Sequence, residues 1–163
     1  MNDLQEKAAT FIGRLYGFAE QPDRAALAAL RQGLDVDAGI PPAMHRYIVP
    51  ILPEGLSEKS EEIFYLVAAL FARWHQMASG PVQTVTGSLA RSLRALSDRL
   101  MGGPHEVNSG VERDFNAMIS TPDLESLRFR LRRIVTRLGR EGIGVNWPQL
   151  LIDLHGWVHP DRL

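Results

Sequence analysis

The 163-residue chain has the 45% hydrophobic and 23% charged content of an ordinary globular domain, with a formal net charge of −1. It contains no cysteine, which excludes a disulfide framework, a thiolate metal site and a cysteine nucleophile. The N-terminal stretch carries acids early and lacks an apolar signal-peptide core, and the longest apolar run, Ile63–Ala72, is too short to span a bilayer. We therefore expect one cytoplasmic domain over residues 1–163, without a membrane partner.

Apolar residues recur at helical spacing along the chain, and the short alternation at Val82–Val85 does not extend into a strand pattern. The sequence therefore predicts an all-α fold, a compact bundle of about seven to nine helices. In chain order the predicted helices are residues 3–18, residues 22–33, residues 43–49, a long helix capped by Ser57 or Ser60, residues 86–101, one opened by a capping box at Ser109 and Glu112, residues 124–140 capped at Thr121-Pro122, and one capped at Asn146.

Two of these helices have unusual surfaces. Residues 63–74 are apolar nearly all round, which predicts a buried helix. Residues 124–140 combine one apolar stripe with six arginines between Arg128 and Arg140 and no acid between them. On a helical wheel, one group of arginines lies opposite the stripe and the other flanks it; the first group is Arg130, Arg133, Arg137 and Arg140, and the second is Arg128 and Arg132.

Two interpretations of the arginine helix remain open. A phosphate-binding surface would explain the arginines, and a stacking platform would explain Phe129, which falls on the arginine side. Alternatively, the helix has a solvated basic face and Phe129 fills a groove of a neighbouring helix. The charge distribution does not decide between them: residues 1–62 carry a net −4 and residues 63–141 a net +4, but a GC-rich genome would also produce sixteen arginines against two lysines.

No pattern of catalytic residues is visible. His155 and His159 are four residues apart with Asp153 nearby, but no third metal ligand can be proposed. The glycines do not form a phosphate-binding loop, and helix capping explains the paired carboxylates. We therefore predict no catalytic residue, no metal, no cofactor and no small-molecule substrate, and we expect a binding protein rather than an enzyme.

Six segments in order resemble the CasB family, the small subunit of the type I-E CRISPR surveillance complex Cascade. They are LRQGL (30–34), HRYIVPILP (45–53), IFYLVAALFARWH (63–75), TGSLARSL (86–93), ERDFNAMISTPDLESLRFRLRRIV (112–135) and GIGVNWPQLLIDLHGW (142–157). The chain departs from the family at two places. Ala90 stands where the family usually has glycine, and the family's aromatic and basic segment after the last tryptophan is cut short here.

The resemblance implies an all-helical, non-enzymatic subunit that is present in two copies and supports the R-loop in antiviral defence. Its implied partners are the other Cascade subunits, a second copy of itself, the guide RNA, and the target and displaced DNA strands. Motif matching assigns nucleic-acid contacts to Arg133, Arg132, Arg91 and Arg113, and with less certain register to Arg31 and Lys59. The helical pattern itself adds Arg94, Arg137, Arg128 and Arg130.

A purely structural module, whose arginines pair with acidic partner subunits, is the alternative function. Within the LRR motif we expect Arg133 to contribute more than Arg132, because Arg132 lies beside the apolar stripe. The resemblance adds no support for stacking on Phe129, so we expect that ring to pack against a neighbouring helix. We also expect the acidic N-terminal half to face protein neighbours or solvent, and the basic half to face nucleic acid.

Overall fold

The computed structural model describes residues 2–35 and 41–159. These residues form eight α-helices and no β-strand, which confirms the all-α prediction. The helices are α1 (Asp3–Glu20), α2 (Arg24–Arg31), α3 (Pro42–Ile48), α4 (Glu58–Met77), α5 (Leu89–Met101), α6 (Ser109–Ile119), α7 (Leu124–Arg140) and α8 (Trp147–Val158). None of the described helices has both the length and the apolar character that a membrane span requires.

Two of the predicted helix caps are wrong. Helix α6 is capped by Asn108, whose side-chain oxygen accepts the backbone N–H of Val111 at 3.0 Å, and not by Ser109. Helix α7 is capped by Asp123, which accepts the backbone N–H of Ser126 at 2.7 Å. Asn and Asp are strong N-cap residues because their side-chain oxygen reaches the free N–H groups of the first turn.

Helix α5 begins three residues later than predicted. Gly87 has a φ of 85°, a conformation in which glycine is favoured, so the chain turns there and the helix starts after Ser88. At its other end the helix stops at Gly102, which adopts the left-handed conformation with a φ of 73°.

The described residues divide into two compact units, and the one-domain prediction stays a prediction. The first unit holds the described residues up to Ala72 together with those from Trp147 onward. The second unit is Arg73–Asn146.

The core of the first unit is built on α4. Every residue of Ile63–Ala72 is buried, which confirms the predicted buried helix. Edge-to-face aromatic pairs join α4 to its neighbours: Phe64 packs on Phe11 with ring centroids 4.9 Å apart, and Phe71 packs on Trp147 at 5.5 Å.

The second unit combines helices α5, α6 and α7, which contact each other in pairs, with the chain that follows α7. The indole Nε1 of Trp74 donates to the carbonyl of Ile143 at 2.8 Å, and the Ser92 hydroxyl donates to the carbonyl of Gly144 at 2.7 Å. Helix α7 approaches Trp74 closely at Gly139. A Cβ at this position would lie only 2.9 Å from the carbonyl oxygen of Trp74, so the approach requires glycine. These contacts fix the C-terminal end of α7 and the chain that follows it.

Candidate nucleic-acid interface

Helix α7 has two distinct sides, as its sequence predicted. Its apolar residues Leu127, Leu131, Ile134, Val135 and Leu138 are buried. Among its arginines, Arg133 and Arg140 are exposed, whereas Arg128, Arg130, Arg132 and Arg137 are half-buried. The apolar stripe is therefore confirmed, and the cationic groups gather on the remaining surface of the helix.

Five arginines converge on one groove along this surface, which we call the α7 groove. It has a volume of about 490 Å³ and is lined by Arg73, Phe129, Arg132, Arg133, Thr136, Arg137 and Arg140. The α7 members follow helical spacing, so they form one continuous stripe. At 1.5 Å per residue, the eleven steps from Phe129 to Arg140 extend roughly 16 Å.

Asp114 of α6 organises the middle of the α7 groove. It is only 7% exposed, and its carboxylate accepts a 2.8 Å bond from Nη1 of Arg137. The Nε of Arg133 lies 3.4 Å from the other carboxylate oxygen. The Arg133 side chain is 60% exposed, against 31% for that of Arg137. Arg137 therefore has mainly a structural role, while Arg133 keeps most of its surface for a ligand.

Arg73 is a groove residue that the sequence analysis missed. Its Nε donates to the Thr136 hydroxyl at 3.0 Å, and its Nη1 donates to Oε1 of Gln76 at 2.9 Å. These bonds hold the guanidinium against α7. In the sequence Arg73 follows an apolar run and belongs to no motif of basic residues. The signal in the sequence that could have identified it was a single charged residue directly after a long apolar run.

The predicted packing of Phe129 is wrong. The residue is 62% exposed, so no neighbouring helix of the described chain buries its ring. The guanidinium carbon of Arg130 lies 5.7 Å from the ring centroid. Phe129 is therefore an exposed aromatic ring at one end of a groove lined with cations.

A second basic concavity, the α5 groove, lies in the same unit. It has a volume of about 750 Å³ and is lined by Gln83, Thr84, Val85, Thr86, Arg91, Arg94, Ala95, Asp98 and Arg99. Asp98 neutralises part of its charge, since its Oδ1 is 3.2 Å from Nε of Arg94. Arg99 donates from Nη2 to Oε1 of Gln83 at 2.7 Å. The α5 groove is therefore larger but less cationic than the α7 groove.

The predicted contact residues are distributed over several surfaces. Arg132, Arg133 and Arg137 meet in the α7 groove, and Arg91 and Arg94 meet in the α5 groove. Arg113, Arg128 and Arg130 belong to the same unit but line neither groove. The other two, Arg31 and Lys59, belong to the first unit. Their contribution to nucleic-acid binding stays a prediction.

One serine–histidine pair lies outside the two grooves, and this combination of residues also occurs in catalytic sites. The Ser60 hydroxyl lies 3.0 Å from Nε2 of His155, and the His155 and His159 rings stack with centroids 4.3 Å apart. Ser60 is only 4% exposed and bonds to Ser57 at the start of α4, so a substrate has no access to its hydroxyl. Within the described ranges, no three His, Asp or Glu side chains are grouped closely enough to hold a metal ion.

Comparison with known structures gives chains of the same fold. A crystal structure of a CRISPR-associated protein of the Cse2 family from Thermus thermophilus shares 31% identity and a TM-score of 0.72, covering 95% of this chain and 90% of that one. A chain from a CRISPR RNA-guided surveillance complex shares 23% identity and a TM-score of 0.71, covering 98% of this chain and 86% of that one. The CasB crystal structure from M. ruber shares 23% identity and a TM-score of 0.65, covering 93% of this chain and 83% of that one.

Sequence comparison gives the family directly. No curated protein matches the chain significantly. The family model described as CRISPR-associated protein Cse2 matches residues 26–163, which is most of the sequence. The resemblance that the six sequence motifs indicated is therefore confirmed. This chain belongs to the Cse2 family of CRISPR-associated proteins.

Proposed function

We propose that this chain is a non-catalytic small subunit of the type I-E CRISPR surveillance complex Cascade. In that role it binds nucleic acid through surface arginines and stabilises the target-bound complex in antiviral defence. Its partners are the other Cascade subunits, a second copy of itself, the guide RNA, and the target and displaced DNA strands. Membership of the Cse2 family and the structural likeness to a chain of an RNA-guided surveillance complex support this assignment.

The α7 groove is the observation that carries the nucleic-acid part of the proposal. Five guanidinium groups line it, and one buried carboxylate, Asp114, offsets part of their charge. Guanidinium binds phosphate with two parallel hydrogen bonds and needs no base sequence to do so. Arg133 and Arg140 are the exposed members, so they are the first candidates for direct phosphate contact.

The energetics of an R-loop suit such a surface. Forming an R-loop replaces one duplex with another of similar stability, so a modest electrostatic contribution shifts the balance. A displaced single strand lacks a partner, and a cationic groove lowers its free energy without reading its sequence. The unit that contains both grooves, Arg73–Asn146, holds eleven arginines against seven acids, a net +4. That charge is consistent with the basic half of the chain facing nucleic acid.

The absence of catalysis is part of the same proposal. Ser60, the hydroxyl partner of His155, is buried, and both grooves are lined mainly by arginines and neutral residues. Arginine stays protonated and so cannot act as a general base at neutral pH. These surfaces favour holding a strand over cleaving it.

The test compares two variants of equal net charge in the reconstituted complex. R133A/R140A removes two exposed arginines of the α7 groove, while R14A/R24A removes two exposed arginines elsewhere. We expect R133A/R140A to reduce R-loop formation most strongly at low salt, with a defect that narrows as the salt concentration rises, and R14A/R24A to behave as wild type. Equal R-loop stability in the two variants at two salt concentrations would contradict the proposal.

The same variants test the alternative function. If the arginines pair with acidic partner subunits, R133A/R140A will fail to assemble and the free chain will show no single-strand binding to lose. Within this chain Asp114 already pairs with Arg133 and Arg137, and an acidic residue of a partner subunit would bind the groove arginines through the same kind of contact. Native mass measurement of the assembled complex separates this outcome from a defect in DNA binding.

A further inference from the structure

We propose that the α7 groove selects single-stranded over double-stranded nucleic acid, because an unpaired base stacks on Phe129 while the arginines hold its phosphates. This inference rests on the proposed nucleic-acid function. It adds a residue and a physical basis for selectivity. Three features of the groove support it: the exposure of the ring, its register with the arginines, and the identity of its neighbours.

The exposure of Phe129 is unusual for its residue type. Burying a phenylalanine ring contributes about 1.5–3 kcal/mol, and this ring forgoes most of that gain. It is 62% exposed, the largest exposed fraction among the large hydrophobic residues that the structure describes. Its neighbours in the groove are cations rather than apolar residues, so the ring is not part of an apolar docking patch.

The register of the ring with the arginines matches a nucleotide chain. Phe129 is one helical turn from Arg132 and Arg133 and about three turns from Arg140. The stripe of roughly 16 Å spans at most about five nucleotides of a stacked strand, which rises 3.4 Å per nucleotide, and fewer of an extended one. A strand lying along α7 would therefore place phosphates over the guanidinium groups and one base beside the ring.

The neighbours of Phe129 favour a base over another occupant. Arg130 approaches the ring at 5.7 Å, and guanidinium planes also stack on bases. An acidic protein surface would satisfy the arginines but would leave the ring beside charged groups. A single strand satisfies both features, because it presents phosphates and unstacked bases at regular intervals. In a duplex the bases are stacked and paired, so their faces are not available to the ring.

The experiment uses the full chain with two labelled strands of about 10 nucleotides, a length within the usual site size for single-strand binding. One is oligo(dT), and the other is an abasic strand with the same phosphates. We expect Phe129→Ala to weaken binding of oligo(dT) by about 5- to 150-fold, and to leave binding of the abasic strand unchanged. Phe129→Trp should retain or strengthen oligo(dT) binding, and Phe129→Leu, which keeps an apolar side chain, should resemble the alanine variant.

The control separates this inference from the proposed function. R133A/R140A should weaken binding of both strands, because it removes phosphate contacts. If F129A leaves both strands unaffected, or weakens both equally, the stacking inference fails while the arginine-based function stands. If F129A instead lowers self-association in sedimentation without changing oligo(dT) binding, the ring belongs to a protein interface and the inference also fails. If neither variant affects either strand, both proposals fail.

Discussion

Asp114 should limit the DNA affinity of the α7 groove while stabilising the fold. The buried carboxylate is held by Arg137 at 2.8 Å and by Arg133 at 3.4 Å. Both arginines retain contact with solvent, so they stay hydrated when the carboxylate is neutralised. Asp114→Asn should therefore cost about 1–3 kcal/mol of unfolding free energy, the value of charge-assisted hydrogen bonds. It should also strengthen single-strand binding, because it removes the negative charge and frees both guanidinium groups.

The two arginine partners should differ in their effect on stability. Arg137→Ala leaves a carboxylate that is 7% exposed with only the longer contact, so we expect a loss of about 2–3 kcal/mol. Arg133→Ala removes a largely exposed partner and should cost below about 1 kcal/mol. For a chain of this size, the Arg137 variant should melt roughly 4–12 °C lower than wild type.

Thermal unfolding and fluorescence anisotropy on the same samples check both effects. D114N should combine a lower Tm with a tighter Kd for oligo(dT). A D114N protein that loses both stability and affinity would refute the idea that Asp114 competes with phosphate. A larger loss of stability for R133A than for R137A would refute the assigned roles of the two arginines.

Two further predictions concern the ends of α7. Gly139→Ala should destabilise the fold by about 1–3 kcal/mol, because its Cβ would lie 2.9 Å from the carbonyl oxygen of Trp74. The control is Gly13→Ala, where no atom lies within 4 Å of the added Cβ, so this variant should stabilise α1 by about 0.5–1 kcal/mol. Similar Tm shifts in the two variants would contradict this prediction. The backbone and side chain of Ser126 donate hydrogen bonds to Asp123 and lower the pKa of that carboxyl below its usual value of 3.8. The cap therefore stabilises α7 fully above that pH, and its contribution is lost as the pH falls through the lowered pKa. In an acid titration, Asp123→Ala should lose less stability over this window than wild type, and equal titration curves would contradict the role of the cap.

The sequence predicted the helices well because their periodicity is strong and their apolar faces are continuous. The stripe of α7 and the apolar run Ile63–Ala72 both occupy the positions that helical spacing required. The errors fell at the boundaries. At α6 and α7 two candidate capping residues stood close together, and the choice between them depends on side-chain geometry that a pattern of residue types does not specify.

The candidate site was predicted in part. Helical spacing grouped Arg133, Arg137 and Arg140, which all line the α7 groove. It also placed Arg130 in that group and Arg132 outside it, whereas Arg132 lines the groove and Arg130 does not. Arg73 required a tertiary contact, because it reaches the groove from α4 through its bond to Thr136. Phe129 was assigned to packing because the family resemblance gave no support for stacking, and its exposure depends on tertiary structure. The role of Asp114, more than twenty residues away along the chain from Arg137, depends likewise on how α6 packs on α7.

The salt dependence of single-strand binding distinguishes phosphate contacts in the α7 groove from other roles of its arginines. Binding of oligo(dT) by the free chain is measured across a salt series for wild type, R133A/R140A and the R14A/R24A control. We predict that R133A/R140A weakens binding and makes the slope of log K against log salt concentration shallower by roughly 1.4, about 0.7 for each lost phosphate contact. The R14A/R24A control should keep the wild-type slope. An unchanged slope for R133A/R140A, or an equal change in both variants, would contradict the assignment of the α7 groove as the nucleic-acid interface.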